Sequence, residues 1–104
     1  MRVNDKIEMM ISDCAENINR YDFSIESVLE LQGWRLPTIE ELHLLLLLHK
    51  NSSGNFSNDW YMTNEGTSSY DNYCIHFGTS EELLRKTEES HWGCCRVRLV
   101  RDLS

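Results

Sequence analysis

The sequence predicts an α+β domain, two or three N-terminal helices packed on an antiparallel sheet, and three observations carry that prediction. The clearest helix-type spacing lies in the first half of the chain. A run of five leucines, Leu44 to Leu48, sits inside a segment that carries a full helix-start signal. The second half instead alternates apolar and polar residues, as in "DNYCIHFGT" and "CCRVRLVRD", which is the period of a strand. Helices followed by strands, rather than the two interleaved, give the α+β class. At 104 residues, the length suits a single domain, residues 1–104, with one modest core.

Taken in order, residues 3–18 place Ile7, Met10, Ile11, Cys14 and Ile18 at helix-compatible spacing, although "KIEMMIS" also suits a short edge strand. "FSIESVLELQG" reads as a short helix with Ser24 as N-cap, an apolar side of Val28, Leu29 and Leu31, and Gly33 as the residue that takes the left-handed turn after it. In "WRLPTIEEL", Pro37 keeps Leu36 extended. Thr38 followed by Glu41 is the capping-box pair, in which each side chain satisfies the other residue's backbone amide. Ile39, Leu42, Leu45, Leu46 and His49 share one broad face of the helix so launched, while Leu44, Leu47 and Leu48 extend the apolar surface around it. Such a helix is either central and covered on several sides, the reading preferred here, or it meets a second copy of the chain along Leu44 to Leu48.

Beyond the polar loop "KNSSGNFSND", "WYMTN" and "DNYCIHFGT" read as strands joined by a turn-like "EGTSSYD". "TSEELLRKTEES" reads as a short helix capped by Thr79 and Glu82, or as a charged surface excursion. The closing "CCRVRLVRD" reads as a half-buried strand, with Cys95, Val97 and Leu99 inward and Arg96 and Arg98 on a solvated face.

Composition narrows function. Three Trp, four Tyr and 40% hydrophobic residues describe a folding chain. The net charge of −7 opposes nucleic acid and anionic membranes, and the Arg96, Arg98 and Arg101 cluster is expected to serve a strand face. Asp5, Lys6 and Glu8 interrupt any secretory signal, and the leucine run is far short of the roughly 18 residues a span needs. A cytoplasmic protein with reduced cysteines (Cys14, Cys74, Cys94, Cys95) is therefore expected.

"GWRLPTIEEL", then "WYMTNE", a variable polar region and a terminal "RVRLVRD" resemble the bacterial domain of unknown function found at the C-terminal end of Legionella collagen-like proteins, over residues 24–102. Those domains are similar in architecture to C-type lectin-like folds, including the formylglycine-generating enzyme group. The resemblance implies a small C-type lectin-like domain in which Trp34 and Leu36 plug the core, Arg35 is fixed against a carboxylate or carbonyl groups, and Pro37 and Thr38 launch the helix, with Glu41 completing its cap. The calcium signature of sugar-binding lectins is not matched; "NDW" at Asn58 to Trp60 shares only its letters.

For chemistry, Cys74, His76, His91 and Cys94, with Cys95 as a spare, are the soft sulfur and imidazole donors that suit zinc, and ligands at i and i+2 share a strand face. The same residues would supply a thiolate–imidazole pair to an enzyme. The paired glutamates point apart on a helix and read as solvated faces. Residues 51–73, rich in Asn, Ser, Tyr and Trp, have the composition of a recognition surface. The expectation is a non-enzymatic, cofactor-free protein-binding module, an intracellular regulator or inhibitor of bacterial or phage origin. Its contacts would come from Asn58, Trp60, Tyr61, Tyr70, Tyr73 and Trp92.

Overall fold

The computed structural model describes residues 1–14, 27–66, 71–78, 83–88 and 95–103, and these described residues run through eight elements. They are β1 (Ile7–Met9), α1 (Ser27–Leu31), β2 (Trp34–Arg35), α2 (Ile39–Lys50), β3 (Trp60–Met62), β4 (Asp71–His76), β5 (Leu83–Glu88) and β6 (Val100–Asp102). The strands make two antiparallel sheets, ordered β1-β6-β2 and β3-β4-β5. The domain is a small α+β fold, as predicted, with its sheet divided in two.

The start of α2 follows its sequence signal closely. Thr38 is extended, its Oγ1 accepts the Glu41 amide at 3.1 Å, and Glu41 Oε1 accepts the Thr38 amide at 2.9 Å. Glu65 Oε2 takes the Ile39 amide at 2.6 Å, so three amides that the first turn leaves open are satisfied by carboxylate or hydroxyl oxygen. Leu42, Leu45 and Leu46 are buried against Ile7, Met9, Tyr61, Ile75, Phe77 and Val100. Each such side chain contributes about 1.5–3 kcal/mol through the apolar area it removes from water. Central burial holds for that face alone: Leu44 and Leu48 are half-buried and Leu47 is 52% exposed.

The first residues form the edge strand rather than a helix. Ile7 and Met9 face the core, opposite Asp102 and Val100 of β6, and Ile11 is exposed. The segment that follows runs beside residues 97–99, with the Met10 amide on Leu99 O (3.0 Å) and the Cys14 amide on Val97 O (2.7 Å). In α1, Gly33 has φ +90° and donates its amide to Glu30 O, the turn expected of it. The apolar side assigned to α1 is corrected: Leu29 packs inward, whereas Val28 and Leu31 are 57% and 87% exposed. Ser24 lies outside the described residues.

The reading of residues 79–90 as a short helix or a charged surface excursion is also corrected over residues 83–88. Leu83–Glu88 is a strand, paired with β4 from Asp71↔Glu88 to His76↔Leu83. β4 has amides and carbonyls along that edge which a helix would leave unpaired, so a distant demand overrides a local preference. The Thr79 and Glu82 cap lies outside the described residues.

The β3–β4 pair separates two apolar clusters. Tyr61, Ile75 and Phe77 face α2, while Met62 and Cys74 pack with Cys14, Leu36, Val97 and Leu99 on the opposite side. Cys74 and Ile75 are both fully buried, so β4 is covered on both faces at its centre.

The closing strand departs most from expectation. Regular pairing begins only at Val100, and Arg98, assigned to a solvated face, has no exposure. Its five N–H donors are all used. Nε and Nη2 reach Asp13 Oδ1 at 3.2 and 3.0 Å, Nη2 also meets Asn55 O at 2.7 Å, and Nη1 meets Met10 O at 3.1 Å and Gly54 O at 2.6 Å. The guanidinium also lies over the Phe56 ring, 4.2 Å from its centroid. Arg101 is equally committed, to the Glu8 carboxylate and the face of Trp34. The arginine cluster therefore joins separate segments of the chain instead of forming a basic patch.

Arg35 is fixed as the turn motif implies. It grips Glu41 through two parallel bonds of 2.7 Å and reaches Asp102 at 2.8 Å. Hydrogen bonding to Arg35 holds the Glu41 carboxyl below its ordinary 4.5, against the opposing effect of burial. The same guanidinium lowers Asp102, which is largely exposed and contributes less through solvent screening. A depressed folded-state pKa gives stability that is fully present above the unfolded value and lost as pH falls through the folded value. The midpoint of urea unfolding is therefore expected to drop on acidification below about pH 4.5, with a smaller drop in Arg35→Met, measured by fluorescence across a pH series.

Candidate functional site

The antiparallel pairing of β3 with β4 sets Trp60 opposite His76, so the residues just before β3 and just after β4 meet at one rim. The Phe77 amide donates to Asp59 O at 2.9 Å and continues the ladder past the strands. Asp59 Oδ1 accepts the Trp60 amide at 2.8 Å and its Oδ2 accepts Arg96 Nε at 3.1 Å, which fixes the entry into β3. Gly78 closes the rim from the other strand. A Cβ there would lie 2.8 Å from Asn58 Cβ and 2.9 Å from His76 Cε1, closer than side-chain carbons approach.

Two imidazoles frame this rim. His76 Nδ1 accepts the Gly78 amide at 2.9 Å, which leaves Nε2 to carry the proton of the neutral ring, and its ring meets Trp60 edge-on at 5.0 Å. His49, at the end of α2, stacks on Phe77 at 5.6 Å and donates from Nε2 to Asn58 Oδ1 at 2.8 Å. Asn58 is exposed, and His49, Asp59, Trp60 and His76 are half-buried. The result is a fixed surface with an indole, an imidazole N–H and an amide, suited to stacking and hydrogen bonding.

The residues expected to bind a partner separate in the fold. Asn58 and Trp60 come together on this rim. Tyr61 is removed from the set: it is fully buried between Phe56 and Phe77, and its hydroxyl donates to Asp13 at 2.9 Å and accepts the Ser57 amide at 3.0 Å. Burial pushes the Tyr61 phenol upward, which keeps it a donor. Tyr73 is half-buried on β4, and its backbone is tied to Thr63 and Glu65. Tyr70 and Trp92 lie outside the described residues. The front of the polar loop is latched from below by Arg98 on Gly54 O and Asn55 O, so residues 54–55 are anchored.

Of the proposed zinc ligands, Cys74 and His76 share a strand face as predicted, while His91 and Cys94 lie outside the described residues. Cys74 Sγ stands 3.1 Å from Cys95 Sγ. Among the described residues, no group of three or more His, Cys, Asp or Glu is gathered to hold a metal ion. A groove lined by Asn4, Lys6, Thr38, Glu40 and Glu41 runs beside the start of α2, but Thr38 and Glu41 are spent there on the helix cap. No helix among the described residues is long and apolar enough to cross a membrane.

Sequence reading missed His49, His76 as a rim residue, and the Asp59–Arg96 pair. His49 looked like one more position on the helix face, and its partner Asn58 is brought to it by the turn between α2 and β3. Fold and rim together define a small α+β domain with a rigid aromatic and polar edge. No protein-family model matches the chain, and no curated protein matches it.

Proposed function

We propose that this chain is a non-enzymatic protein-binding module, a small C-type lectin-like domain that recognises a partner through the rim at Asn58, Trp60 and His76. The observation that carries the reading is that rim itself: partly exposed aromatic and imidazole groups held in place, the Trp60 amide by Asp59 and the His76 ring by the Gly78 amide, so less entropy is lost when they are covered. The lectin-like assignment is supported by the Trp-Arg-Leu-Pro-Thr turn, which opens α2 with the cap and the Arg35 clamp that the resemblance implies. The acidic charge and single-domain length fit a regulator or inhibitor in the cytoplasm of a bacterium or a phage-infected cell.

The test is cross-linking in the native host with wild-type chain, followed by titration of the polypeptide so identified. Trp60→Ala is expected to weaken binding by about 30-fold, the effect of losing a central aromatic anchor, with an unchanged circular dichroism spectrum. Equal binding by the variant would overturn the assignment. Capture of a second copy of the chain would favour the homodimer reading instead, which the exposed Leu47 on α2 supports.

A further inference from the structure

The cysteines carry an inference independent of the rim. Cys74 is fully buried on β4, opposite Met62 of β3. Cys95 arrives along the other edge of β3, where the segment is held by the Arg96 amide on Trp60 O (2.8 Å) and the Met62 amide on Arg96 O (3.0 Å). Both sulfurs enter the same apolar cluster, from positions 21 apart in sequence, and their Sγ atoms are 3.1 Å apart. A disulfide needs about 2.05 Å, so closing the gap takes about one ångström of sulfur movement.

We infer that Cys74 and Cys95 are a redox-modification site that forms a reversible disulfide when a small disulfide such as oxidised glutathione accumulates. Cys95, half-buried, is the sulfur that an outside reagent reaches. Its thiolate attacks one sulfur of oxidised glutathione, forming a mixed disulfide and releasing one glutathione thiolate, which takes the proton that Cys95 gave up. Cys74 then loses its proton and attacks Cys95 Sγ. The mixed disulfide breaks and the second glutathione leaves as a thiol, so two protein thiols and one glutathione disulfide become one protein disulfide and two glutathiones. The new bond ties the C-terminal segment to β4 across β3.

The experiment uses the full chain, reduced, desalted and incubated with oxidised glutathione at neutral pH, then alkylated and mapped by mass spectrometry. The expected result is an intact mass lower by two hydrogens, a peptide linking Cys74 to Cys95, and a Tm higher by on the order of 10 °C, all reversed by dithiothreitol. Cys94→Ser should keep the link, whereas Cys95→Ser should lose it. A link through Cys14 or Cys94, a lasting glutathione adduct on the wild-type chain, or alkylation of all four cysteines would overturn the assignment.

Discussion

Replacing Arg98 with methionine is expected to destabilise the domain by about 3–5 kcal/mol, the usual cost of removing one partner from a buried ion pair. Methionine fills much of the same volume and keeps an apolar contact with Phe56, so the loss isolates the polar role. Asp13, with 17% of its side chain exposed, loses its buried cation, and the carbonyls of Met10, Gly54 and Asn55 lose their donor together. Against a typical total stability of about 5–15 kcal/mol, that is a large share. Urea unfolding followed by tryptophan fluorescence should show the midpoint falling with little change in slope. Arg98→Lys should recover little, because one ammonium cannot replace a planar fork directed at four groups. A loss under about 1 kcal/mol for Arg98→Met would show that the guanidinium is solvated after all.

Tyr61→Ala is expected to cost about 3–5 kcal/mol, the range for emptying a buried aromatic site, since its ring sits 4.4 Å from that of Phe77 and 5.5 Å from that of Phe56. Tyr61→Phe keeps the ring and loses the hydroxyl between Ser57 and Asp13, for about 1–2 kcal/mol. Thermal unfolding of both variants separates packing from hydrogen bonding. Near-wild-type stability of Tyr61→Ala would return this residue to the surface and to the list of partner contacts. Because Tyr61 and Arg98 both hold Asp13, their effects should not add, and the coupling in a double variant measures how far Asp13 joins them.

The parts of the fold that were legible in the sequence are those settled within a few residues. The Thr38–Glu41 box, the Gly33 turn and the β3 and β4 strands depend on neighbours in the chain. What escaped depends on partners far away. "RVRLVRD" alternates like a half-exposed strand, yet Arg98 turns inward because Asp13, 85 positions earlier, is there to receive it. "LLRKTE", residues 83–88, lies in a stretch of good helix formers and still pairs as a strand, because β4 has an open edge. The site shows the same division: Trp60 and Asn58 stood out by composition, while Tyr61 looked identical in type and only the sheet's two-sided burial distinguishes it. His49 became part of the rim through a turn whose shape no local signal specifies.

The strand order of the first sheet has a kinetic consequence. β6, the last of the described strands, lies in the middle, between β1 and β2, and its Arg101 meets Glu8 across a separation of 93 residues. Among the described strands, β6 is the partner that both β1 and β2 pair with. Closure of a loop from residues 7–9 to residues 100–102 must therefore precede the pairing that completes this sheet, and such long-range pairing slows folding. On the ribosome the same order withholds completion of this sheet until residues 100–102 have left the exit tunnel.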